Sequence, residues 1–185
     1  GVLGEHLLAL RRIGQGMPDG VPYVMTVFTP LSVAGMMAES EQAMLKYMQE
    51  SPDRLRHALE AVTQTFERYV PMCLEAGASG IFFATTRWAT YNRLTEEQYR
   101  TWGRPYDLRV LAAAQQAPFN ILHVCRSRNM LLALADYPVE ALNWDVSDPT
   151  NPSIRATSNC SRSLPMLMPV SSLISAREGR RSPGL

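Results

Sequence analysis

The chain has 185 residues, of which 46% are hydrophobic and 19% charged, so it can bury one core and a single domain is expected. Its 18 basic and 17 acidic side chains leave a net charge of +1, which argues against nucleic acid or an anionic membrane as a partner. Three cysteines are too few for a disulfide framework, and no apolar run of about 18 residues would span a membrane, so a cytoplasmic protein is expected.

Helical and strand patterns alternate along the first 145 residues. Apolar spacing, capping residues and Gly or Pro stops predict helices at 3–12, 31–38, 41–48, 51–77, 95–103, 106–116 and 129–135. Pro71 is expected to kink or split the longest of them. Apolar runs rich in β-branched and aromatic residues predict strands at 21–28, 81–84, 119–126 and 141–144. This order is typical of an α/β fold with a parallel sheet and right-handed crossovers.

The pattern fails in the tail, residues 156–185. It carries four arginines and one acidic residue, and it has no sustained helical or strand period apart from a brief apolar patch at 166–174. We therefore predict a folded domain over residues 1–155 followed by a poorly ordered tail.

The clearest candidate site is His123-x-Cys125, at the carboxyl end of the third predicted strand. Side chains two residues apart in a strand point the same way. The imidazole and the thiol should therefore share one face at the edge where α/β folds place their chemistry. Two such ligands make half of a zinc site.

Two other strand ends carry candidate residues, each with an alternative that the sequence leaves open. In the loop over residues 85–93, Arg87 with Trp88 and Tyr91 would suit a flat acidic ligand. A solvated loop anchored by Trp88 is equally compatible with the pattern. Asp145 ends the fourth strand, where it is placed either for chemistry or for capping the following turn.

Five segments, in order, resemble the uroporphyrinogen decarboxylase family, which also includes corrinoid-dependent methyltransferases. The segments are 27–35, 75–83, 94–107, 121–125 and 137–145. The resemblance implies a partial (βα)₈ TIM barrel with about four βα units present, from a fold that is usually homodimeric in the decarboxylases. The family's opening strand would precede Gly1, and the tail does not resemble the family, so we expect a fragment whose tail comes from a shifted frame or a truncated gene.

In the decarboxylases, the resemblance implies removal of carboxylate side chains from a tetrapyrrole in porphyrin and heme biosynthesis, without metal or cofactor. A tyrosine of that branch falls at about Met36, which cannot donate a hydrogen bond, and this counts against a true decarboxylase. Asp145 is the predicted catalytic residue on this reading. The predicted substrate-binding residues are Phe28, Thr85, Thr86, Arg87 and Trp88.

In the methyltransferases, the resemblance implies a zinc ion bound by His-x-Cys and a more distant cysteine, which activates a thiol such as coenzyme M. The methyl group comes from a corrinoid protein. His123 and Cys125 fall where that motif belongs, and Cys160, in the unpatterned tail, is a poor third ligand. A third reading is an inactive truncated remnant that binds neither metal nor tetrapyrrole.

Overall fold

The structure is a computed structural model that describes residues 1–158 and 166–170. A parallel sheet in the order β1-β2-β3-β4-β5 forms its centre, with helices between the strands. The strands are β1 (Val24–Phe28), β2 (Gly80–Ala84), β3 (Ile121–Val124), β4 (Ala141–Asp145) and β5 (Met166–Val170). The helices are α1 (Val2–Gly16), α2 (Pro30–Met37), α3 (Glu41–Glu50), α4 (Pro52–Glu75), α5 (Glu96–Trp102), α6 (Arg104–Ala113) and α7 (Ile154–Ser158).

The α/β fold class and the four predicted strands are confirmed. Each neighbouring pair of strands is parallel, and the described strands form an open sheet rather than a closed barrel. This is the arrangement of a partial TIM barrel. In the described part of the chain, no helix is both long and apolar enough to cross a membrane.

The two faces of the sheet have different surroundings. One face holds a row of buried apolar side chains at equivalent register, and this row packs under the helices. The row consists of Val27, Phe83, Leu122 and Leu142, which are all 2% exposed or less. The opposite face, here called the inner face, carries the row Phe28, Ala84, His123 and Asn143, of which Phe28 is 38% exposed. The chemically interesting residues therefore lie on the less covered face.

Helix α4 is the main support of the sheet's buried face. Its apolar stripe, which includes Leu55, Leu59 and Val70, is buried, and the helix contacts α2, α3, α6 and β2. Cys73 is fully buried on the same stripe. The helix runs as one element through Pro71, so the prediction of a split there is wrong.

The segment between β3 and β4 also differs from its prediction. Instead of a helix over residues 129–135, only Leu131–Leu134 form a single 3-10 turn. The Asn129 side chain accepts a hydrogen bond from the Leu131 amide at 3.1 Å, which favours a tight turn over helix propagation.

The tail contains a strand that the sequence pattern did not predict. Strand β5 pairs in parallel with β4, and its five residues are all apolar. Pro169 is compatible with a strand at the end of a sheet, because proline has no amide proton to donate to a further neighbour. Residues 159–165 and 171–185, on which the prediction of poor order also falls, lie outside the described residues.

Candidate functional site

His123 and Cys125 lie together at the carboxyl end of β3. His123 Nε2 and Cys125 Sγ are 2.6 Å apart, so the predicted shared face is confirmed. His123 is the third residue of the four-residue strand, and Cys125 is the first residue after the strand ends. Strand alternation therefore brings the two side chains to the same side at the sheet edge.

Asn143 orients the imidazole from the neighbouring strand. It is the register partner of His123, and its Oδ1 lies 2.6 Å from His123 Nδ1. With the amide oxygen as acceptor, Nδ1 carries the proton and the Nε2 lone pair faces Cys125. Phe82 fixes the plane of the ring from the other side, with the two centroids 5.0 Å apart and an interplanar angle of 26°.

Sequence reasoning did not identify Asn143. Its position two residues before Asp145 on the same strand was the available signal, since alternation places both on the inner face. What the sequence does not give is the register between β3 and β4, and the register is what aligns Asn143 with His123.

Burial sets the charge of both side chains. It lowers the pKa of His123, although the hydrogen bonds with Asn143 partly oppose this. Burial raises the pKa of the Cys125 thiol, and the positive charge of Arg126 acts in the opposite direction. The pair therefore consists of a neutral imidazole and a protonated thiol, rather than an imidazolium and a thiolate.

The pair fits two positions in the ligand set of a catalytic zinc ion. A neutral imidazole with its lone pair directed at the site is the form that binds zinc, and the hydrogen bond to Asn143 is the outer partner such a ligand needs. Tetrahedral coordination would separate Nε2 and Sγ to about 3.5 Å, a shift of about 1 Å from the present contact. Among the described residues, no third His, Cys, Asp or Glu joins them, and Cys160 lies outside that part.

Asp145 lies on the inner face beyond Asn143, at the end of β4. Its Oδ1 accepts hydrogen bonds from the Ser147 amide at 2.9 Å and the Ser147 hydroxyl at 2.6 Å. These bonds correspond to the turn-capping alternative that the sequence left open, and a catalytic role for Asp145 stays a prediction.

The two threonines predicted to bind substrate take part in a hydrogen-bond network after β2. Thr85 is fully buried, and its backbone carbonyl accepts from the Ser32 hydroxyl at 2.6 Å. Thr86 has a positive φ of 52° and donates its hydroxyl to Ser32 at 2.8 Å. The network joins the start of α2 to the loop that follows β2, so Thr85 is a structural part of the site's support.

The other three predicted substrate-binding residues have different surroundings. Phe28 ends β1 on the inner face, where it is exposed. Arg87 is also exposed and pairs with Glu41 at 2.7 Å. Trp88 is only 1% exposed, because its indole packs against Gly35. It therefore presents no free surface to a ligand. Instead it anchors the loop, which was the alternative interpretation of the sequence.

Comparisons with known proteins identify the chain's relatives. The sequence profile described as Uroporphyrinogen decarboxylase (URO-D) matches residues 1–163. A search of curated protein sequences finds no match. Among solved structures, a methyltransferase from Methanosarcina mazei superimposes with a TM-score of 0.68 at 19% sequence identity, covering 89% of this chain. This chain spans 57% of that methyltransferase.

Proposed function

Because the chain belongs to the uroporphyrinogen decarboxylase family, we propose that it is part of a zinc-dependent methyltransferase that transfers a methyl group from a corrinoid protein to a thiol. The observation that carries the proposal is the convergence of His123 Nε2 and Cys125 Sγ, with Asn143 fixing the imidazole. The similarity in fold to a methyltransferase is consistent with this choice.

His123 and Cys125 would supply two of the three protein ligands that a catalytic zinc needs. When bound there, zinc lowers the pKa of a coordinated thiol so that the nucleophilic thiolate forms near neutral pH. The chain's own contribution is positional. Asn143 keeps the proton on Nδ1, Phe82 holds the ring plane, and the half-buried setting limits competition from water.

Metal binding can be tested without an activity assay. Titration of the chain with Co²⁺ in place of zinc should produce a thiolate-to-cobalt charge-transfer band that added zinc abolishes. Cys125→Ser should eliminate the band because it removes the sulfur ligand. Asn143→Ala should weaken metal affinity about 10- to 100-fold, as expected when the outer partner of a ligating histidine is lost.

The control is Cys73→Ala, which removes a fully buried thiol on α4 that is not part of the pair. This variant should keep the band. A chain that gives no charge-transfer band, or one that keeps it after Cys125→Ser, would rule out the zinc proposal.

A second candidate is the tetrapyrrole decarboxylation for which the family is named, which needs no metal. It is favoured by Phe28, an exposed aromatic ring on the inner face that could pack against the pyrrole rings of a tetrapyrrole. A chain that binds a porphyrinogen but no metal would support this function. A chain that binds neither would support the inactive remnant.

A further inference from the structure

A cleft is formed by the loop after β2, the loop that follows Cys125 after β3, and the start of α3. Its volume is about 500 Å³, and every residue that lines it is polar or charged. The charged residues are Arg87, Arg93, Arg126 and Glu41. Three positive side chains and one negative side chain leave a net charge of +2, so the cleft is an anion-attracting site.

Glu41 forms ion pairs with two of the three arginines in the cleft. Its Oε1 accepts from Arg87 Nη1 at 2.7 Å, and its Oε2 accepts from Arg93 Nη2 at 2.6 Å. One carboxylate therefore bridges two arginines, and both arginine side chains remain between 42% and 51% exposed. Each guanidinium has five N–H donors, so both keep donors available for a second anion.

Arg126 adds a third positive charge without an ion-pair partner among residues 1–158. It is exposed and follows Cys125 directly, with a positive φ of 76°. The Arg87 and Arg93 guanidiniums are partly neutralised by Glu41, whereas the charge on Arg126 is not. The excess positive charge in the cleft is therefore largest on its Arg126 side.

We propose that this cleft binds a phosphomonoester with a polar body, of the sugar phosphate class. A phosphate dianion balances the net charge of +2, and its three terminal oxygens match the donors of several arginines. A volume of about 500 Å³ lies in the range of small-molecule sites, which leaves room for more than a phosphate ion. The polar lining, which includes Thr90 and Asn92, suits a hydroxylated body rather than an aromatic one.

Glu41 acts as an internal competitor for the same donors. A ligand anion approaching Arg87 and Arg93 meets a carboxylate already bound there and is repelled by its charge. Removing that carboxylate should strengthen anion binding, an outcome that a purely structural ion pair would not produce.

The experiment measures binding of ribose 5-phosphate to the chain by calorimetry at constant ionic strength, with inorganic phosphate and ribonate as comparison ligands. Ribose 5-phosphate should bind most tightly. Arg126→Gln should weaken its binding at least about tenfold, because a charge-assisted contact is lost. Glu41→Gln should tighten it about three- to tenfold, because two guanidiniums are released.

The matched control is Glu50→Gln, which removes the same charge at the other end of α3, about 14 Å along the helix. This variant should bind as the wild type does. The proposal is overturned if Arg126→Gln leaves affinity unchanged, if Glu41→Gln tightens binding no more than Glu50→Gln, or if inorganic phosphate or ribonate binds as tightly as the ester.

This inference does not depend on the zinc proposal. The charged residues of the cleft do not include His123 or Cys125. Cys125→Ser should therefore abolish the cobalt band and leave ribose 5-phosphate affinity unchanged, so that failure of one proposal can be distinguished from failure of the other.

Discussion

Asp107, on α6, is a fully buried carboxyl group outside the candidate site. Its Oδ2 accepts hydrogen bonds from the hydroxyls of Tyr99 at 2.8 Å and Tyr137 at 2.9 Å, whereas its Oδ1 has no hydrogen-bond partner among the described residues. Burial raises the pKa of Asp107 to about 7, although the two tyrosine hydroxyls and the charge of Arg104 act in the opposite direction. The carboxyl therefore joins α5, α6 and the segment before β4 while remaining largely protonated below neutral pH.

The raised pKa makes stability depend on pH in a defined window. Between about pH 4 and pH 7, native Asp107 holds a proton that the unfolded chain has released, so the free energy of unfolding falls as pH rises through this range. The fall attributable to Asp107 is of the order of 4 kcal/mol. Urea unfolding across this range should show the decline in the wild type relative to Asp107→Asn, which cannot titrate there.

Asp136 provides the control, since its pKa is shifted in the opposite direction. Its hydrogen bonds with Arg104 lower the pKa of this exposed carboxylate. The destabilisation caused by Asp136→Asn should therefore be seen above about pH 4 and should disappear as the pH falls below that value. An identical pH dependence for the wild type and Asp107→Asn would show that Asp107 does not titrate in this window.

At the scale of elements, the start of β2 requires a glycine. Gly80 faces the segment before β3, and a Cβ atom there would overlap the carbonyl oxygen of Phe119. Two hydrogen bonds stabilise this close contact between Gly80 and Phe119. They run from the Phe119 amide to Ser79 O at 3.1 Å and from the Ile81 amide to Asn120 Oδ1 at 3.1 Å. The pairing of β2 with β3 depends on this contact.

Gly80→Ala should therefore destabilise the protein by about 1–3 kcal/mol, because the backbone of two paired segments must move apart. Denaturant unfolding measures the change. Gly4→Ala is the matched control, since no atom of the described residues lies within 4 Å of a Cβ atom at that position in α1. It should be stabilising by about 0.5–1 kcal/mol, and an equal effect of the two substitutions would contradict the role assigned to Gly80.

Local patterns predicted most of the elements, β5 and the turn after β3 excepted, but not the contacts between them. The apolar runs of β2 and β4 and the stripe of α4 are visible in the sequence because burial repeats with the period of each element. The convergence of His123 and Cys125 was predictable because Cys125 directly follows the strand that contains His123. Asn143 was not, since its role depends on register between strands. For Trp88, the sequence left both a ligand contact and a loop anchor open, because nothing local indicates that its indole packs on Gly35.

In the whole molecule, β1 lies at one end of the described sheet, and the inner face of the sheet is incompletely covered. Thr26 and Phe28 of β1 are both exposed on that face. No described strand pairs with the outer side of β1, and its backbone groups there form a template for another chain. The fold thus combines one strand edge that no described strand pairs with and an exposed aromatic side chain, and together these favour association between copies.

We expect the chain to self-associate with increasing concentration, as measured by sedimentation velocity. Combining Thr26→Lys with Phe28→Lys should shift the population toward monomer, because two lysines on an edge strand oppose pairing by charge and hydration. Met36→Lys with Met37→Lys adds the same charge on α2, where both side chains are more than half exposed, and should leave association unchanged. Equal loss of association in the two double variants would show that the effect comes from net charge rather than from β1. A wild type that is monomeric at every concentration would show that the exposed edge of β1 does not drive association.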